Sequence, residues 1–205
     1  MPGDDRDVSA QLRSAVPALA VAGFFILLGA NSDIVNPSLQ YDRVALGHLQ
    51  LWRLVTGHFA HLSAVHAALN GAALVVIWLI GRHTATRAQW LWLLCGAMAG
   101  VDAGLYWLSP TVDWYVGASG VLHGLFGGIG VLMLSRDSTY YPWMLLLGLV
   151  VKLAWEQAAG TALTAPIQDH GAVITAAHLY GSIGGVTVAA MCWAAARRSA
   201  HRGPA

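Results

Sequence analysis

Residues 60–80 read AHLSAVHAALNGAALVVIWLI, twenty-one positions without an Asp, Glu, Lys or Arg. A helix needs roughly 17–25 mostly apolar residues to cross a bilayer, and this run satisfies that with only Ser63, two histidines and Asn70 set into it. Outward from it, five more stretches approach the same condition, at about 14–30, 90–108, 118–135, 142–160 and 173–196. Composition agrees, since 57% of the 205 residues are hydrophobic and 10% charged, far from the balance of a soluble domain. The sequence thus predicts an all-α polytopic membrane protein, a bundle of six transmembrane helices forming one domain over residues 1–205.

The lipid bilayer is therefore the expected surroundings, and a net charge of +1 offers no basic field for nucleic acid. Cys95 and Cys192 each lie inside an apolar run, where they read as packing residues and not as a disulfide framework. The first apolar stretch, Ala15 to Ala30, leads into Asn31-Ser32-Asp33 without a small-x-small cleavage pattern, so it reads as a span and not as a signal peptide. Arg6, Arg13, Arg82, Arg87, Arg136, Arg197, Arg198 and Arg202 fall on one side of the spans, against Arg43 and Arg53 on the other. That bias predicts both termini in the cytoplasm. The segment 31–57 is too long for a simple turn and is expected to carry function or to cover something.

Chemistry enters with Gly117-Ala118-Ser119-Gly120, just ahead of a glycine-rich apolar stretch. Ser119 is expected at a helix N-terminus, whose free amides favour a developing negative charge, and its small neighbours leave the hydroxyl open to approach. The same residues also suit close packing of two membrane helices. His178 lies five residues into the last span, where an ionisable side chain is costly and usually functional. Gly181 and Gly185 share its helix face and would let that face press against the glycine-rich fourth span, carrying the imidazole towards Ser119. His66 and Asn70, four apart in the second span, present two donors that suit either an oxyanion hole or interhelical hydrogen bonding.

Taken together, Trp52-Arg53, His61, His66, Asn70, Gly117-x-Ser119-Gly120 and His178-x-x-Gly181-x-x-x-Gly185 resemble the rhomboid family of intramembrane serine proteases. The resemblance implies a six-helix bundle and a dyad of Ser119 as nucleophile and His178 as base, with no third acid. It also implies that His66, Asn70 and the Ser119 amide surround the oxyanion, with Gly117 in support, and that Trp52-Arg53 orders the first loop. No metal or organic cofactor is expected, and the partner is the transmembrane segment of a protein substrate.

One position departs from the family pattern. Four residues after the serine, where typical rhomboids carry a tyrosine against the histidine, stands His123, which reads as support for His178 or as an alternative base. The run 117–124, together with Lys152, Glu156 and Gln157, is similar to the rhombosortase branch. That likeness implies a bacterial inner-membrane enzyme acting on proteins with a GlyGly-CTERM tail. Lys152 and Glu156 are spaced to pair, and Asp102 could join them; the sharper expectation is that Lys152, Glu156 and Gln157 line the substrate gate. A metal or haem protein using His58, His61, His66, His123, His170 and His178 is the rival from another class, with thin carboxylate and thiolate support.

Overall fold

The computed structural model describes residues 4–136, 139–162 and 173–201, with side-chain detail from Ser14 to Arg198. It is an all-α membrane bundle. The chain opens with α1 (Asp4–Gly29) and α2 (Ser32–Leu39), which meet at a bend of 103°. A loop region follows with β1 (Tyr41–Asp42), α3 (Arg43–Gly47) and α4 (Arg53–Thr56). Then come α5 (Ala64–Gly81) and α6 (Arg87–Ala103), the latter ending in a wide π-helical turn at Gly104–Leu108. After β2 (Trp114–Tyr115) the bundle closes with α7 (Ser119–Leu134), α8 (Tyr141–Ala159) and α9 (Thr175–His201).

By length and composition, α5, α6 with its π-helical turn, and α9 can each cross a membrane, and the bent α1–α2 pair passes the same test as one broken span. The apolar α7 has only 16 residues, so it rises about 24 Å against a hydrocarbon core of about 30 Å. Helix starts follow local chemistry. Ser63 caps α5 by accepting the His66 amide at 3.2 Å, and Thr86 with Gln89 forms a capping box on α6. At α7 the cap position is Ala118, which supplies no side-chain acceptor for the first amides of that helix.

Lipid gives apolar helices little reason to associate, so close backbone packing decides which of them meet. Two faces of α9 achieve it. Gly181 and Gly185 lie against the carbonyls of Gly120 and Gly124 on α7, while Gly184 and Tyr180 lie against Gly96, Gly100 and Gly104 on α6 and its π-helical turn. The face shared by His178, Gly181 and Gly185 thus presses on the fourth long helix as its spacing predicts. A methyl group at Gly181 would fall on the Gly120 carbonyl, which is backbone and cannot yield. Gly181→Ala should therefore lower stability by about 1–3 kcal/mol, measured by thermal unfolding in detergent. Gly148→Ala, where nothing lies within 4 Å, should be neutral or slightly stabilising.

The segment 31–57 folds as a cover held by two arginines. The buried Arg53 donates to Gln50 Oε1 and to the carbonyls of Gln40 and Pro37 at 2.8–3.0 Å, closing off the end of α2. Arg43 reaches the carbonyls of Leu105, Tyr106, Ser109 and Val112, four acceptors at and just past the π-helical turn. Trp52 donates to the Ser38 carbonyl at 3.3 Å with its ring mostly exposed. A two-residue antiparallel ribbon, Tyr41 opposite Tyr115 and Asp42 opposite Trp114, ties this cover to the segment that leads into Ser119. Tyr41, Leu46 and Tyr115 pack on Val101, Leu105 and Ala177, so the cover sits directly over the junction of α6 and α9.

Candidate active site

Ser119 is the first residue of α7, and His178 lies one turn into α9. The Gly120–Gly181 approach sets these helices so close that Ser119 Oγ stands 2.9 Å from His178 Nε2, although 59 residues separate them in sequence. His178 is buried, and its other nitrogen, Nδ1, lies 2.7 Å from Glu156 Oε2. A carboxylate accepts, so Nδ1 carries the hydrogen, and Nε2 of a neutral ring is then free to accept from the serine hydroxyl.

His123 stacks on His178 with ring centroids 4.1 Å apart and planes inclined by 14°. Its Nδ1 donates to the Ser119 carbonyl at 2.7 Å, one turn back along α7. His123 therefore braces the face of the His178 ring and does not address the hydroxyl. Aromatic stacking contributes about 0.5–1.5 kcal/mol, so His123→Ala should slow any reaction at Ser119 by up to about tenfold, whereas His123→Phe should keep most of the rate. Labelling kinetics with an active-serine probe would check both.

The second-span donors face the same space. His66 and Asn70 are buried, and both line a cavity of about 490 Å³ that also reaches Ser119, His123, Lys152 and His178. The Leu62 amide is directed at His66 Nδ1 at 3.4 Å, which leaves the hydrogen of a neutral ring on Nε2. Asn70 Nδ2 is buried without a hydrogen-bond partner among the described residues. Gly117 packs against the His66 ring with φ of +127°, a conformation that favours glycine. Its carbonyl accepts from the Tyr115 hydroxyl at 2.7 Å and its amide donates to the Gly57 carbonyl at 3.0 Å. His61, held by its Nδ1–H on the Phe59 carbonyl at 2.8 Å, meets His66 edge to face.

Below Ser119 the large cavity runs between α5, α7 and α8, lined by apolar side chains such as Ala73, Ile77, Phe126, Leu145 and Leu149, with Lys152 as its one cation among the described lining residues. A second cavity of about 300 Å³ reaches Ser119 and His66 from the loop side, past Thr111, Asp113 and Tyr115.

Two sequence expectations are corrected, the place of Glu156 and the neighbour of Asp102. Glu156 does not line a gate: it is fully buried, with one carboxylate oxygen on Lys152 and the other on His178. The site accordingly has an acid beside its histidine, where the family likeness implied none. Asp102 does not join Lys152 and Glu156; its Oδ1 lies 3.3 Å from Nε2 of His58 in the loop preceding α5. Gln157 is exposed and donates to the Thr175 carbonyl at 3.1 Å.

Metal-ligand types do gather at His123, Glu156 and His178, whose ligand atoms lie within 4.8 Å of one another. The two stacked rings lie in nearly parallel planes, so lone pairs confined to those planes do not converge on one point as a tetrahedral site needs. His58 pairs with Asp102 and His61 with a backbone carbonyl, while His170 lies outside the described residues. Among the described residues the histidines are thus poorly arranged for a shared metal ion.

A helical membrane bundle that sets a serine against a histidine in an apolar cavity belongs, as a class, with the intramembrane hydrolases. The Rhomboid domain family matches residues 48–195, well over half of the chain, and the chain belongs to that family. It is thereby a multi-pass membrane protein of the intramembrane serine protease type. No curated protein matches the chain.

Proposed function

We propose that the chain cuts the transmembrane segments of protein substrates with Ser119 as nucleophile and His178 as general base. The observation that carries this is the 2.9 Å contact between Ser119 Oγ and His178 Nε2 at the head of an apolar cavity. A substrate segment enters sideways along α5 and α8, where the cavity wall is apolar enough to replace lipid. Ser119 Oγ attacks the scissile carbonyl as its proton passes to Nε2. His66 Nε2–H, Asn70 Nδ2–H and the Ser119 amide hold the oxyanion, while Gly117 lets the backbone approach. His178 returns the proton to the leaving amine and activates water arriving through the loop-side cavity, which releases the acyl group. The short α7 supports chemistry below the membrane surface, since its two ends cannot both reach the headgroup layers.

The substrate reading is the GlyGly-CTERM tail of exported proteins, in a bacterial inner membrane with both termini cytoplasmic. Its support is the likeness of residues 117–124, Lys152, Glu156 and Gln157 to the rhombosortase branch. Lys152, on the cavity wall, and Gln157, exposed at the end of α8, are the polar contacts left for tail recognition once Glu156 is buried. The test is coexpression with a single-span reporter ending in such a tail. Cleavage that needs both the Gly-Gly pair and Ser119 is expected. Equal cleavage of a reporter with Ala-Ala in its place would move the reading to a general rhomboid protease, and no cleavage of any single-span reporter would favour a non-catalytic binding role.

A further inference from the structure

We propose that Glu156 is the third member of the site, a positioning acid that orients His178, with Lys152 as its countercharge. The inference rests on the protease reading above and departs from the dyad that the family likeness implies. Four groups lie in sequence through the structure. Lys152 Nζ meets Glu156 Oε1, Glu156 Oε2 lies 2.7 Å from His178 Nδ1, and His178 Nε2 lies 2.9 Å from Ser119 Oγ.

A wholly buried carboxylate is expensive, and an ion pair that served only to fasten α8 to itself would be satisfied by Lys152 alone. The second oxygen is instead directed to the imidazole whose Nε2 lies on the Ser119 hydroxyl. Accepting Nδ1–H fixes the tautomer that leaves the Nε2 lone pair towards Ser119, and His123 stacked on the ring face opposes rotation out of that alignment. When Oγ attacks, its proton moves to Nε2 and its electron pair forms the new bond to the carbonyl carbon. The imidazolium so formed faces a carboxylate that keeps its negative charge, and the proton later leaves from Nε2 with the amine. Lys152, about one third exposed on the cavity wall, offsets the cost of that buried charge without touching the histidine.

The experiment measures kinact and KI of a fluorophosphonate on the full chain in detergent, for wild type, Glu156→Gln, Glu156→Asp, Lys152→Met and Ser119→Ala, with thermal unfolding recorded in parallel. Glu156→Gln should lower kinact about 10²–10⁴-fold with KI nearly unchanged, because the amide can present its NH₂ to Nδ1 and favour the wrong tautomer. Glu156→Asp should recover part of that loss by restoring the carboxylate, and Lys152→Met should slow labelling by less than Glu156→Gln. A purely structural ion pair would lower the unfolding temperature and leave kinact of the folded protein at the wild-type value. Wild-type kinact in folded Glu156→Gln, with Ser119→Ala unlabelled, would overturn the role of Glu156 and leave the protease reading standing. Should Glu156→Gln not fold, Lys152→Met decides, since unchanged kinact there overturns the linkage. Folded wild type that takes no label, or label that persists in Ser119→Ala, would overturn the protease reading itself.

Discussion

In detergent, a fluorophosphonate should label the wild-type chain, labelling of Ser119→Ala should fall to background, and His178→Ala should be slowed by about 10⁴–10⁶-fold. The two effects differ in kind. Without Oγ there is no atom to phosphonylate. Without the imidazole the hydroxyl keeps its proton and is a weak nucleophile at neutral pH. Neither change should unfold the bundle. Ser119 sits at the start of α7 with no capping duty, since the cap position is Ala118, and the α7–α9 contact is made by glycines on the neighbouring positions. His178→Ala does leave the Glu156 carboxylate short of one hydrogen bond, so its thermal unfolding should be compared with wild type. A His178→Ala protein that stays folded and labels at the wild-type rate would remove histidine from the reaction and turn attention to His123.

What was legible in the sequence was mostly what periodicity controls. The apolar stretches, the i, i+3, i+7 face of His178, Gly181 and Gly185, and the pairing of Lys152 with Glu156 all lie within single helices, where spacing fixes direction. What was not legible depends on how one helix is rotated against another. Glu156 and His178 are 22 residues apart on different helices, and only the setting of α8 about its axis turns one carboxylate oxygen to the ring. The same limit explains Asp102. Counting charges in spans invites it to join Lys152 and Glu156, whereas its neighbour is a loop histidine that a span-by-span reading leaves aside. The cover is harder still. Arg43 is anchored by four backbone carbonyls, acceptors that every residue carries and that leave no trace in side-chain pattern.

Asn70→Ala is expected to lower kinact by about 10²–10³-fold, the usual loss for one preorganised oxyanion donor, while leaving thermal stability at or above that of wild type. The two halves of this expectation come from one observation. Asn70 Nδ2 faces the cavity with no protein partner among the described residues, so the substitution breaks no hydrogen bond from that nitrogen to the rest of the fold. A donor not engaged by the rest of the fold is available when charge develops on the substrate oxygen, in a cavity whose apolar walls strengthen the interaction. Asn70→Asp should be worse than Ala, because a carboxylate of the same shape would face the oxyanion with like charge. His66→Ala should fall in the same range in rate but cost stability as well, since its ring packs on His61 and against Gly117. Wild-type kinact in Asn70→Ala would take Asn70 out of the oxyanion hole and make its amide a packing group. A rate loss matched by an equal loss of folded protein would do the same, because an oxyanion donor acts on the transition state and not on the fold.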